Sequence, residues 1–345
     1  MSSYTPLQVE RRSIDVIPAA ERHGSPLNQF TLWMGANLQI TAIVDGALAV
    51  VFGADALWAI IGLLIGNLAG GCVMALHSAQ GPRLGLPQMI SSRAQSGVYG
   101  AAIPLVLVIV MYLGFTATGT VLAGQAINAL LHVDQAAVGI VIFVVLVGVI
   151  ATFGHELIHT VGKVATFMCA ATTVTAFTGR STMGRSARAV FVTTMLAIAA
   201  VIALAASADF LDNFKNFVLL LLMVFTPWSA INLTDYYLIS KEKVDIPALY
   251  DPHGRYGGWN MVAITTYALG VLVQVPFLAQ SLYTGPVTEA LGGADISWIV
   301  GLVAPAVIYY LWASRNPVAP DRMIHPPAAL PPNGQDAASH AFPAP

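Results

Sequence analysis

Long apolar runs separated by short polar stretches set the pattern of this chain, at lengths suited to crossing a bilayer, for which about 20 predominantly apolar residues suffice. Runs at 29–53, 56–77, 98–131, 135–154, 189–208, 214–239, 258–283 and 295–313 predict eight membrane-spanning helices. A further apolar segment, 156–178, holds fewer apolar residues and is flanked or entered by His155, Glu156, His159 and Lys163. The first run differs from the others. Its middle reads Gly35, Ala36, Asn37, Leu38 and Gln39, followed by Asp45 and Gly46. Lipid offers no hydrogen-bond partners, so small and polar residues half-way through a span belong against a cavity or a packed interface. A helix broken at mid-membrane depth, its carbonyls freed to hold an ion or a small polar ligand, meets that requirement. So does a straight span whose glycines pack helices and whose amides bond to neighbours.

Composition agrees with the pattern. Hydrophobic residues make up 57% of the chain, charged residues 9%, and mean hydropathy is +0.73, which predicts an all-α polytopic membrane protein in the cell membrane, in contact with lipid. The first 28 residues carry Glu10, Arg11, Arg12, Asp15, Glu21 and Arg22 without an apolar core, so a cleaved signal peptide is not expected and this tail is placed in the cytosol. Short cytoplasmic loops collect Lys and Arg. With the tail inside, loop 78–97 with Arg83 and Arg93 is inside, and the turns holding Asp55 and Asp134 are outside. If 156–178 crossed fully, Arg180, Arg185, Arg188, Lys241, Lys243, Arg255, Arg315 and Arg322 would all face outside. The rule therefore predicts that 156–178 makes no full crossing, or crosses under strain, and that both termini are cytoplasmic.

Gly62, Gly66 and Gly70, four residues apart, predict a close helix–helix contact on the second span. Cys72 and Cys169 both sit in apolar runs and read as small core residues rather than a disulfide or metal pair. The loop GPRLGLPQMISSRAQSG is dense in turn-formers, which predicts a defined structure. Pro227 removes a helix hydrogen bond and predicts a kink in 214–239, while Asp235, Tyr236 and Tyr237 read as anchors at the cytosolic interface. The Pro- and Ala-rich stretch 314–345 predicts a disordered tail.

The stretch RRSIDVIPAAERHG before QFTLWMGANLQ, the loop GPRLGLPQMISSRAQ, YLGFTATGTVLAGQ, and PWSAINLTDYYLISKEKVDIPALYDPHGRYGGWN stand out as motifs. Together they resemble the nucleobase:cation symporter family of purine, cytosine, uracil, allantoin and hydantoin permeases. The resemblance covers nearly all of 9–315. It implies an inverted-repeat transporter of twelve spans, five plus five plus two, with substrate held near the midplane between a four-helix bundle and a hash domain. Against that plan, 29–178 resembles spans one to five, 179–188 the basic loop before span nine, 189–239 spans nine and ten, and 258–313 spans eleven and twelve. The sixth, seventh and most of the eighth span are missing, and 156–178 resembles a fusion of the fifth with the end of the eighth.

The resemblance also implies site roles. Phe115 matches the third-span aromatic that stacks on the planar base, and Gln125 the family's glycine–glycine–glutamine position. Backbone carbonyls around Gly35, Ala36 and Leu38 would face a ligand or coupling ion, with Asn37 and Gln39 offering amides. Asp45, read as the one carboxylate deep in a predicted span, is the expected protonation site. The competing signal is His155-Glu156-x-x-His159, the spacing of a zinc metalloprotease helix. It lacks a third ligand on a later span, where Asp235 alone is offered, and is disfavoured. No phosphate-cradling loop, nucleic-acid stripe or hydrolase triad stands out. The expected function is import of an uncharged nucleobase-like heterocycle with H+ or Na+ and no cofactor. A shortened bundle would expose polar faces to lipid, so homo-oligomerisation is expected to support it.

Overall fold

The computed structural model describes residues 15–19, 22, 46–50, 53–153, 210–281 and 283–326. It is built of helices: α1 (Ala56–Ser78), three short turns α2 (Gln80–Leu84), α3 (Gln88–Ser91) and α4 (Arg93–Ser96), then α5 (Ala102–Leu131), α6 (Ala136–Phe153) and α7 (Phe210–Leu233). After α7 a π-helical turn runs over Thr234–Ile239, followed by α8 (Met261–Leu272), a two-stranded hairpin of β1 (Ala279–Gln280) and β2 (Tyr283–Thr284), α9 (Pro286–Ala290) and α10 (Ser297–Ala313). Three continuous helical stretches, Ala56–Leu84, Ala102–Leu131 and Phe210–Ile239, are long and apolar enough to cross a membrane, and shorter apolar helices cover Ala136–Gly148, Met261–Phe277 and Ser297–Ala313.

Local chemistry fixes the helix ends. Asp55 caps α1 by accepting from the Trp58 amide at 2.9 Å, and Asn260 caps α8 by accepting from Val262 at 3.1 Å. α5 stops where His132 turns left-handed at φ 53°, and Asn128 donates across the turn to the Gln135 carbonyl. α5 and α6 then run antiparallel in close contact. A Cβ on Gly139 would lie 2.0 Å from the Gly124 carbonyl oxygen, so glycine is required there. Apolar side chains such as Leu57, Trp58, Leu64 and Leu68 cover the outside of α1, a surface suited to lipid rather than water.

The main buried apolar cluster lies at one end of the bundle, not in its middle. It joins Leu84, Leu86, Ile90 and Ala94 of the α2–α4 region to Tyr236, Val244, Ile246, Leu249 and Tyr256, with Val16 and Met323 packed against it. The expectation of an ordered loop after the second span is met. Backbone bonds from Val98 to Gly257 (3.0 Å), Tyr99 to Gly258 (2.8 Å) and Asn260 to Ser96 (2.9 Å) tie the two loops together. Gly85 makes the reach of the amino-terminal segment possible: it sits at φ 67°, accepts from the Ile17 amide at 2.9 Å, and has Arg22 against it.

Several expectations are corrected. The span expected at 258–283 is helical over Met261–Leu272 and then gives way to a 3₁₀ turn at Val275–Phe277, since Pro276 ends regular hydrogen bonding, and to the hairpin. Cys72 is exposed on α1 rather than buried in a core. Nothing lies within 4 Å of a Cβ placed on Gly62, Gly66 or Gly70, so among the described residues no helix packs on that stripe. The stretch after α10 is not wholly without structure: Ile324 donates to Val244 and accepts from Ile246, both at 3.0 Å. The segment 156–178, the first-span centre and residues 327–345 lie outside the described residues.

Candidate functional site

Phe115 lies on α5 where α7 crosses it. Its ring meets Phe217 edge-on, with centroids 5.5 Å apart and planes at 79°, a favourable aromatic geometry. Gly114 creates the space, because a Cβ there would touch the Phe217 ring at 2.1 Å. Phe115 stays 39% exposed, so part of its surface is free of protein contacts. Gln125 follows ten residues later, roughly 15 Å further along the axis at the rise of an α-helix, and its side chain is exposed. The two residues therefore do not share one layer of the bundle. Gly35, Ala36, Asn37, Leu38, Gln39 and Asp45 lie outside the described residues, as do His155, Glu156 and His159.

The structure also assembles a polar relay that the sequence reading did not anticipate. Gln80 Nε2 donates to Asn232 Oδ1 at 2.8 Å, Asn232 Nδ2 to Gln95 Oε1 at 3.1 Å, and Gln95 Nε2 to Asp235 Oδ2 at 3.3 Å. The same Oδ2 accepts from Ser240 Oγ at 3.1 Å, and Oδ1 accepts from the Tyr309 hydroxyl at 2.9 Å. This relay links α2, α4, α7, its π turn and α10. Asp235 is 7% exposed and is the one buried acid among the described residues. That corrects its reading as an interface anchor, together with Tyr236, which is 1% exposed. Tyr237 donates to the Leu76 carbonyl at 2.7 Å.

The π turn explains the burial. An extra residue per turn, seen in the Ser240 amide bonding to the Asp235 carbonyl at 2.7 Å, re-aims the end of α7 so that Asp235 and Tyr236 point inward. Beside the relay, His77 stacks on Trp228 with centroids 5.0 Å apart and planes at 3°, and Gln88 Nε2 contacts His77 Nδ1. A narrow cavity of about 20 Å³, bordered by Gln95, Asn232, Trp228 and Tyr267, is no larger than a water's share of liquid volume. A larger one of about 220 Å³ lies between Asp235, Ser240, Tyr256, Asn260, Tyr309 and Arg315. In the adjoining loops, burial pushes the Tyr250 phenol up to about 12 against the opposing pull of Arg93, and burial pushes Tyr256 up to about 12 as well. The same desolvation lowers Arg93. Gln80 and Gln95 sit in a polar loop, in SAQGPR and SSRAQSG, and Asn232 near the end of an apolar run, so nothing local in the sequence distinguished them.

Comparison with known proteins bears on what this assembly serves. The family model described as a permease for cytosine/purines, uracil, thiamine and allantoin matches residues 16–168 and again 159–301. The Bacillus subtilis (strain 168) protein named "Putative purine-cytosine permease YxlA" is 28% identical over 439 aligned positions spanning 88% of this chain and 96% of that protein. The purine-cytosine permease fcyB of Emericella nidulans is 30% identical over 156 residues, 44% of this chain and 30% of that protein. The allantoin permease of Bacillus subtilis is 31% identical over 107 residues, 30% of this chain and 19% of that protein. No solved structure matches. These relatives are transporters rather than enzymes, which leaves the His155-Glu156-x-x-His159 spacing without a catalytic role. With its apolar helices and a family match running from 16 to 301, the chain belongs to the membrane permease family for cytosine and purines, uracil, thiamine and allantoin.

Proposed function

We propose that this chain is a secondary active permease that imports an uncharged planar heterocycle, such as cytosine, a purine, uracil or allantoin, by proton or sodium symport. The observation that carries the reading is the family match over 16–301. The partly exposed Phe115 ring, held against Phe217, supports it, since a flat base stacks on an aromatic side chain. In this reading Phe115, Asn37, Gln39 and Gln125 contact substrate, and Gly35, Ala36, Leu38 and Asp45 serve the coupling ion.

The architecture we assign is the five-plus-five-plus-two fold in shortened form, lacking the sixth, seventh and most of the eighth span. Two features support it. The family model matches in two pieces that overlap at 159–168, and the alignment to YxlA is longer than the chain itself. α6 runs back along α5 towards the end of the bundle where the loops gather, and α7 runs from Phe210, packed beside Ala117 and Ile140, to that same end. That loop end gathers Arg22, Arg83, Arg93, Lys241, Lys243 and Arg255 and holds both described ends of the chain, so we assign it to the cytoplasm.

Uptake of labelled cytosine, purines, uracil and allantoin by transporter-null cells expressing this chain tests the reading. Accumulation of one of them supports it. No accumulation of any, with the protein located in the membrane, favours a second reading that the shortened match motivates: a non-transporting relative acting only with full-length partners.

A further inference from the structure

The buried carboxylate of Asp235 is surrounded by neutral groups. From its own helix end it receives Ser240, from α4 Gln95, and from α10 Tyr309. Among the described residues no Lys, Arg or His lies within ion-pair distance of it. The charged groups nearby are engaged elsewhere or lie at the rim: Arg255 pairs with Asp245 at 3.6 Å, Arg83 pairs with Glu242, and Arg315 lines the cavity while remaining exposed. Tyr256 faces the same cavity, and its hydroxyl oxygen accepts from the Asp245 amide at 2.9 Å. A buried carboxylate with no compensating cation is costly in its charged form.

The hydrogen-bond inventory shows which oxygen is open. Each carboxylate oxygen offers about two acceptor positions. Oδ2 uses both, for Gln95 and Ser240, while Oδ1 uses one, for Tyr309. Asp235 also borders the cavity of about 220 Å³, which has room for several waters at about 30 Å³ each. Val318 and Ala319, just beyond α10, form another part of its wall. The clip of Ile324 onto Val244 and Ile246 holds that stretch in place.

We propose that Asp235 is a proton-binding site, loaded and emptied through this cavity from the loop end of the bundle. In loading, an O–H bond of a hydronium ion in the cavity breaks as the Oδ1–H bond forms, leaving water; emptying is the reverse. Protonation removes the uncompensated charge that holds Gln95, Ser240 and Tyr309 on one point, so the grip between α4, the π turn and α10 loosens in the loaded form. The site stands on the structure alone. Identifying its proton as the coupling ion rests on the transport reading above, and places coupling at Asp235 in addition to or instead of Asp45.

Infrared difference spectroscopy of the purified full chain, titrated from pH 4 to 9, tests it. The expected result is a protonated-carboxyl band that disappears as pH rises, shifts promptly in D₂O because the cavity admits water, and is missing in Asp235→Asn. Tyr309→Phe guards against a misfolded Asp235→Asn: with one donor to the anion gone, the band disappears at a higher pH, by about one unit. No titrating band in the wild type, or a band unchanged in both variants, overturns the site. A separate arm measures substrate accumulation driven by an inward proton gradient. A loss of tenfold or more in Asp235→Asn with substrate binding retained supports coupling there, and full gradient-driven accumulation in that variant overturns it. Wild-type cells that take up no substrate count against the transport reading, while the spectroscopic arm still decides the site.

Discussion

The side-chain amide of Gln274 donates to the backbone carbonyl of Met223 at 2.9 Å, and Met223 is the residue four before Pro227. Proline has no N–H, so its place in α7 leaves that carbonyl without its helical donor, and a residue in the turn after α8 supplies one. Gln274 is fully buried and also donates to the Gly270 carbonyl at 2.8 Å, while its Oε1 accepts from Thr226 at 3.3 Å. Gly301 gives the amide room, since a Cβ there would lie 2.3 Å from it. One glutamine thus satisfies the proline break in α7 and joins it to α8 and α10.

Replacing Gln274 by Ala should cost about 1–3 kcal/mol, the price of an orphaned buried carbonyl, seen as a lower midpoint for thermal unfolding in detergent. In a Pro227→Ala background the helix regains its own donor and the loss should shrink. Equal losses in both backgrounds would show that the Gln274–Met223 bond is not what stabilises the seam.

Phe115→Ala should weaken substrate binding by roughly tenfold to a hundredfold if the ring stacks on the heterocycle, given about 1–3 kcal/mol per stacked base. Removing Phe217 alone should leave substrate affinity near wild type and cost stability, the edge contact of about 0.5–1.5 kcal/mol adding to the ring's lost burial. Competition binding with the substrate found in the uptake screen separates the two. An unchanged affinity in Phe115→Ala would assign the pair to helix packing.

Gly139→Ala should be poorly tolerated. The new methyl would press on the Gly124 carbonyl, backbone that cannot rotate away, and overpacking of this kind costs about 1–3 kcal/mol. Reduced yield of folded protein by fluorescence-detected size exclusion is the expected readout.

The loop end should be alkali-sensitive. Burial raises Tyr250 and Tyr256 from the ordinary 10.0 to about 12, so their neutral forms favour the folded state. That contribution is complete below pH 10 and is lost as pH rises towards 12. Tyr256→Phe should remove its share of the alkaline transition and cost about 1 kcal/mol at neutral pH, because the Asp245 amide loses its acceptor. Tryptophan fluorescence followed against pH measures both. An alkaline transition of the same size in Tyr256→Phe would rule that phenol out as its source.

Ile324→Pro removes the amide that bonds Val244 and should release the stretch after α10. Limited proteolysis should then cut the 240–257 loop faster, while the helices stay protected.

Much of the architecture was legible in the sequence because lipid imposes one rule on every span: an apolar run of sufficient length, with its backbone satisfied within the helix. That rule located α1, α5, α6, α7 and α10 to within a few residues, and the positive charges marked the end where the loops gather. Phe115 was singled out by its motif, and its contact with Phe217 came only from the packing of α5 on α7. What the rule does not reach is how polar side chains pair across helices that are far apart in sequence. Asp235 stands near the end of an apolar run and reads as a boundary residue. Only the π turn, together with Gln95 from one loop and Tyr309 from the last helix, turns it inward. Gln274 shows the same limit. Nothing local in VLVQVPF says that its amide answers a proline 47 residues earlier. Apolar burial is additive along a chain and can be read from it, whereas a hydrogen bond needs both partners at one point in space, and the packing of the helices alone decides where that point is.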